Sequence, residues 1–328
     1  MPTNKLPSFM SFEEFIALIK TKIEEILGNN YDIHITHVIK NNSVELDGLI
    51  ILRGGSSISP SIYLNSYYQN YLACYSIENI VENIIDEYKR SIEDETISNI
   101  NVPYELTEMK SRIVFRLVNY NKNKYLLSTI PHIPFLDLAI TFHCLVKHST
   151  DGIGTIRINN ELMKYWNITI EELKKIAKEN TITFFPPVIQ TINEIVSHLL
   201  NNNSNNGSME NVDHDYTNMD IDVEESLSRR DSYATKDMYV LSNKKGINGA
   251  SCLLYPNVLS NIANKLHSDL YILPSSIHEI ILIEKDDSLI KEDLIRMVGD
   301  INQTQVPIED VLSNNVYIYS REKDAIYF

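Results

Sequence analysis

The sequence predicts an α+β protein with largely antiparallel sheets, a helical middle region and an α+β C-terminal unit. Three observations carry this. Short apolar strands alternate with amphipathic helices in both end regions, the links between strands are short and turn-like, and no run of regular β-α-β units suggests a doubly wound parallel sheet.

Ser11 and Glu14 form a capping-box pattern, and Phe12, Phe15, Ile16, Ile19, Ile23, Ile26 and Leu27 follow at helical spacing until Gly28. Tyr31–Val38 alternates as a strand, Asn41–Asn42–Ser43 turns, and Val44–Leu52 reads as its partner. Ser61–Leu64 is a third short strand. Ser76 caps a helix bearing Ile77, Ile80, Val81, Ile84, Ile85 and Tyr88. In the middle, Met109, Ile113, Val114, Leu117 and Val118 mark a helix, and Phe135–Val146, apolar nearly all round, a buried one. Thr155–Ile158 is a short strand. Thr169 and Glu172 repeat the capping box, and a further helix spans Val188–Leu200. Beyond residue 237, strands are expected at Met238–Leu241, Gly249–Leu254, Leu270–Leu273, Glu279–Ile283 and Val316–Tyr319. Helices are expected after Pro256 and from Lys291 to about Ile301.

Residues 201–237 are rich in Asn, Ser and Asp, with nine acids against three bases, a net of −6. Such a stretch buries too little apolar surface to offset its ordering entropy and reads as a disordered acidic linker. The organisation is therefore 1–200, the linker 201–237, and 238–328, the last either folding on its own core or packing with 1–200.

The totals narrow the function. With 328 residues the chain is long enough for one large or two modest domains. A net charge of −15 disfavours broad binding to nucleic-acid backbones. Three widely spaced cysteines, Cys74, Cys144 and Cys252, form neither a disulfide framework nor a zinc motif and suit a reducing cytoplasm. The N-terminal MPTNKLPSFMSFEEF has no apolar signal core, and no window approaches a membrane span. A cytoplasmic protein without cofactor or metal is expected. His34 and His37 point to opposite faces of their strand and cannot pair on a metal.

Several longer strings are similar to a known family. MYVLSNKKGINGASCLLYPNVLSNIA, DLYILPSSIHEIILI and NQTQVPIEDVLSNNVYIY resemble the C-terminal half of a bacterial family catalogued as domain of unknown function 5688. NNSVELDGLII, PSIYLNSYY, SRIVFRLVNYNKNKYLL and PFLDLAITFHCLV resemble its upstream segments. The resemblance covers roughly residues 10–200 and 238–328; the Asn-rich insertion departs from it. It implies a recognisable fold and no activity.

The densest group of reactive side chains follows Pro274: Ser275, Ser276, His278 and Glu279. On an extended strand Ser276 and His278 share a side, as a nucleophile and its base must. The chain lacks the Gly-x-Ser-x-Gly elbow of many hydrolases, and the competing reading is a turn whose serines bond free backbone groups. Cys144 and His148 share a face of the expected helix, yet Cys144 sits among apolar residues and behaves as one. The Gly54–Gly55–Ser56–Ser57 and Gly246–Ile247–Asn248–Gly249 loops lack complete phosphate-binding fingerprints and read as turns. Tyr67, Tyr68 and Tyr71, flanked by Tyr63 and Tyr75, either cover the core or face a partner. The leading reading is a protein-binding or adaptor protein whose partner is another protein. A hydrolase using Ser276 and His278 is the alternative, and a nucleic-acid module a third that the charge disfavours.

Overall fold

The computed structural model describes residues 9–54, 59–93, 104–149, 152–203, 238–286 and 288–328. The chain divides into two units, one of residues 1–40 and 44–102, the other of residues 41–43 and 103–328.

In the first unit, helix α1 (Phe12–Leu27) opens on the expected box: the Glu14 N–H donates to Ser11 Oγ at 3.2 Å and the Ser11 N–H to Glu14 Oε2 at 2.8 Å. Strands β1 (Tyr31–Ile39), β2 (Glu45–Arg53) and β3 (Ser61–Tyr63) form an antiparallel sheet in that order. Helices α2 (Leu64–Leu72) and α3 (Ile77–Glu93) follow. One core takes Phe15, Ile19 and Ile23 from α1, Leu49 and Ile51 from β2, and Ile80, Ile84 and Tyr88 from α3.

The second unit begins with a short helix α4 (Leu106–Met109). Its first sheet consists of β4 (Ile113–Asn119), β5 (His132–Phe135), β6 (Leu138–Ser149) and β7 (Gly152–Arg157), with a short α5 (Lys124–Thr129) between β4 and β5. Strand β6 pairs antiparallel with all three others. Two helices expected from periodicity are thus strands. In β4, Ile113, Phe115 and Leu117 join the main core while Val114 packs on the opposite face with Leu145 and Phe185. Apolar residues on both faces of a strand imitate a helix that is apolar all round. Cys144 and His148 therefore lie on a strand, not a helix.

Helices α6 (Asn160–Tyr165) and α7 (Ile170–Phe184) come next, the latter with the second capping box in place. Strand β8 (Pro187–Thr191) takes the first residues of what reads as one helix; α8 (Ile192–Asn203) starts only where Thr191 and Glu194 exchange capping bonds. The expected linker over 201–237 lies, after the last turn of α8, outside the described residues, as do residues 55–58 of the first glycine loop.

The second sheet adds β9 (Met238–Asn243), β10 (Leu270–Leu273), β11 (Ile280–Glu284), β12 (Tyr317–Ser320) and β13 (Ala325–Tyr327). Its order is β13-β12-β10-β11-β9-β8, antiparallel throughout. Gly249–Leu254, expected as a strand, is a 3-10 helix with Asn248 left-handed before it (φ 53°). Helix α9 (Val258–Leu266) follows, with Pro256 just outside it and Asn257 at its cap. Helix α10 (Lys291–Thr304) buries Leu294 and Val298 against Tyr271, Leu273 and Ile283. A single core runs from β4, β6 and α7 through β8, β9 and α9 to β10, β11 and β12.

Between α10 and β12 the chain crosses this unit with little regular pairing, and side-chain amides take its carbonyls. Asn42 Nδ2 donates to the Ile308 and Val311 carbonyls (2.8 and 2.6 Å), Asn119 Nδ2 to Leu312 (2.9 Å) and Asn302 Nδ2 to Ser313 (3.0 Å). Asn302 also accepts from Ser275 Oγ. Truncating it strands a buried carbonyl and a buried hydroxyl, each costing about 1–3 kcal/mol. Asn302→Ala should therefore lose about 2–4 kcal/mol in urea unfolding, whereas Asn314→Ala, which removes one bond to the same amide, should lose less.

Candidate functional site

The Ser-Ser-x-His-Glu segment lies between β10 and β11, where residues 274–277 run antiparallel to 310–313. Ser276 and Val311 form an isolated bridge. The Ile277 N–H donates to the Asp310 carbonyl at 2.8 Å, the Leu312 N–H to Ser275 at 2.8 Å and the Ser313 N–H to Pro274 at 2.9 Å. The segment is thus extended only as far as Ser276, bends at Ile277 and His278, and is held by backbone on its flank.

Its side chains are spent in the same way. Ser275 is 9% and Ser276 5% exposed. Ser275 Oγ donates to Asn302 Oδ1. Ser276 Oγ accepts the His278 backbone N–H at 3.0 Å, the turn bonding expected of a serine after proline. The His278 ring points elsewhere. Its Nδ1 accepts from the Asn248 N–H at 3.3 Å, and its Nε2 lies 3.4 Å from Asp310 Oδ1. Among the described residues no hydrogen bond joins the Ser276 hydroxyl to the imidazole. Sharing one side of a strand brings Cβ atoms together; it does not turn a hydroxyl toward a ring.

Sequence reasoning missed Asp310, the partner that sets the state of His278. Burial pulls the His278 pKa down, but the Asp310 and Glu279 carboxylates and the Gly246 carbonyl more than offset it, and the net direction is upward. With Nε2 facing a carboxylate and Nδ1 facing backbone, the ring ties the 243–249 loop to the 310 segment. The only sequence signal for Asp310 was an acid beside an apolar pair, which is commonplace.

The remaining candidates fall into place singly. Cys144 is 1% exposed and burial pushes its thiol up to about 11, so it is an apolar core residue at neutral pH. The side chain of His148 lies outside the described residues. His34 and His37 face Asp32 and the Asp47–Glu45 pair separately. Among the described residues no three His, Cys, Asp or Glu side chains converge to hold a metal. Tyr67, Tyr68 and Tyr71 are half-buried in the core of the first unit. Tyr67 donates to Glu87 at 2.5 Å, Tyr68 donates to the Met10 carbonyl at 2.9 Å, and Tyr71 accepts from the Met10 N–H at 3.2 Å. Phe15 packs between Tyr68 and Tyr71, with ring centroids 5.3 and 5.6 Å away.

A family described as a family of unknown function (DUF5688) matches residues 12–321. The chain belongs to this family. No curated protein and no solved structure is similar to it by comparison. Membership extends over both units and includes the 274–279 turn and its partner segment. No helix among the described residues is long and apolar enough to cross a membrane.

Two outcomes test the turn. A raised histidine pKa adds stability that is fully present below the unfolded value of about 6.5 and disappears as pH climbs through the folded value. The stability gap between wild type and Asp310→Asn, measured by urea unfolding, should accordingly be widest near pH 6 and shrink by pH 8.5. At Gly249 a Cβ would meet Ser242 Oγ and the His278 carbonyl at 2.1 and 2.3 Å, and the Asn243 backbone N at 2.9 Å. Because two of these atoms are backbone, Gly249→Ala should cost about 3 kcal/mol or more, read as a lowered denaturation midpoint.

Proposed function

We propose that the chain is a cytoplasmic bacterial protein-binding or adaptor protein without catalytic activity. The observation that supports this best is the bonding of the 274–279 turn. The serine hydroxyls and both imidazole nitrogens are engaged with the chain's own backbone and with Asn302 and Asp310. A hydrolase would need the Ser276 hydroxyl presented to the His278 ring and to substrate. The free state of all three cysteines suits the cytoplasm.

A contact surface of the right chemistry lies on the second unit. Tyr104 and Tyr165 are 65% and 58% exposed and meet edge to face, with centroids 5.9 Å apart. The pair is held in place: Trp166 Nε1 donates to the Tyr104 carbonyl at 2.8 Å, and Tyr165 donates to Glu105 at 2.7 Å. Preorganised tyrosines offer large contact area at little entropic cost, which is why interfaces are enriched in them. Tyr67, Tyr68 and Tyr71, by contrast, have their hydroxyls committed inside the first unit.

The test compares the tagged intact chain with a Tyr104→Ala/Tyr165→Ala double variant in pull-downs from the source cell's lysate. Wild type should retain a stoichiometric protein partner that the variant loses at least tenfold, with both melting within a degree or two. Equal capture by the two would reject this surface, and a covalent adduct on Ser276 would reject the non-catalytic reading.

A further inference from the structure

The first sheet of the second unit has two unlike faces. Phe115, Ile140 and Phe142 point into the main core. On the other face the strand register sets Arg116 opposite Thr141, and His143 opposite Arg157. Arg116 Nη2 donates to Thr155 Oγ1 at 3.0 Å. Arg116 stands on β4 and Thr155 on β7, with β6 between them, so the side chain crosses β6 to make this bond. Thr141 Oγ1 and His143 Nε2 are 3.1 Å apart, and His143 is 7% exposed. Val114, Leu145 and Phe185 wall the patch with apolar surface.

The charges here are unbalanced. Among the described residues no carboxylate pairs with the guanidinium of Arg116 or Arg157. Burial, and then the neighbouring Arg157 charge, bring the Arg116 pKa down to about 10, so the group is still charged at neutral pH. Burial lowers Arg157 as well. Burial and both arginine charges hold His143 well below its ordinary value, and the ring is neutral. Two like charges thus share a partly desolvated patch. That arrangement is destabilising unless an opposite charge completes it.

We propose that this patch binds a small oxyanion of the phosphate class, gripped between Arg116 and Arg157 beside Thr155; Thr141 and His143, buried and bonded to each other, line the sheet face behind it. Guanidinium is the side chain best matched to this ligand: its planar fork donates two parallel hydrogen bonds to a tetrahedral or planar oxyanion. Two cations balance a dianion, and the neutral imidazole behind them adds no third charge. The cavity that Arg116 lines beneath Asn243, Ile247 and Asn248 measures only about 10 Å³ and accommodates a single water at most. The anion therefore sits on the Arg157 side, which is exposed. An open site of this kind accepts either free phosphate or a phosphate carried on a small molecule. A nucleic-acid backbone is a poor fit, since the chain carries −15 overall.

The experiment is calorimetric titration and thermal unfolding of the intact chain with inorganic phosphate and, separately, glycerol 3-phosphate, against chloride at matched ionic strength. Phosphate should bind and raise Tm. Arg157→Ala should weaken binding at least tenfold while melting, without phosphate, no lower than wild type. Arg157→Lys, which keeps the charge but loses the fork, should fall between them. Because Arg157 is exposed, its variants keep the test meaningful even if Arg116→Met fails to fold. Equal binding of both probes would identify the phosphate group itself as the ligand; binding of the organic probe alone would identify a phosphorylated small molecule. The proposal is overturned if neither probe binds, if Arg157→Ala binds as wild type does, or if chloride at the same ionic strength gives the same shift.

Discussion

The second unit depends on satisfying the backbone of one irregular segment, Pro307 to Val316. A buried carbonyl without a donor costs as much as several favourable contacts return, and a segment outside a ladder has no automatic partners. Here the partners are long-range and come from side chains: Asn42, Asn119 and Asn302 each donate an amide to it. The Leu312 and Ser313 N–H groups meanwhile go to the Ser275 and Pro274 carbonyls, and those of Asp310 and Val311 to Pro307. Asp137, in the tight turn between β5 and β6, takes hydrogen bonds from Ser313, Asn315 and Tyr317 and fastens the far end. The same demand explains the fate of the Ser-Ser-x-His-Glu cluster. The backbone carbonyls of Pro274 and Ser275 and the His278 ring take part in holding 307–316, while Ser276 Oγ accepts the His278 N–H inside its own turn.

How far the sequence reveals this varies with the range of the interaction. Both expected capping boxes, at Ser11 and Thr169, are local patterns with a local cause, and both form. A third, Thr191 with Glu194, was equally present in the letters and marks the true start of α8. With the helix starting there, Pro187–Thr191 is left to pair as a strand. The larger misreading, helices over 113–118 and 135–146, has a physical basis: β4 and β6 carry apolar residues toward two different cores, and the two periods then look alike. Their β-branched and aromatic content, Ile113, Val114, Phe115, Ile140, Thr141 and Phe142, was the available signal.

The candidate site was legible as composition and not as geometry. His278 meets a carboxylate besides that of the adjacent Glu279, but it is Asp310, 32 positions after His278, and nothing local announces it. The amides of the 307–316 segment are less legible still. Asn42 meets Ile308 and Val311 across separations of 266 and 269 residues, and an asparagine in a turn reads the same whether it faces water or a buried carbonyl. The tyrosines illustrate the converse. Their clustering is visible in sequence, while the direction of each hydroxyl depends on Met10 and Glu87, residues no spacing rule connects to them.

The overall charge gives the arginine patch its selectivity. In a chain of net −15, two guanidiniums without a carboxylate partner among the described residues are a local exception within a repulsive field. That field discourages polyanions, which must bring many charges close to the surface at once, far more than it discourages a small anion that brings two. The apolar wall of Val114, Leu145 and Phe185 strengthens each hydrogen bond made beside it by excluding water. The long-range field and the short-range desolvation thus act in the same direction: both favour a compact, highly charged ligand over an extended one. The unpaired charge has a structural consequence too. A sheet that has one face wholly in the core could place an apolar residue at 116 and gain stability, as replacing buried ionic groups commonly does. Keeping Arg116 there sacrifices stability, a trade characteristic of positions held for binding rather than for the fold.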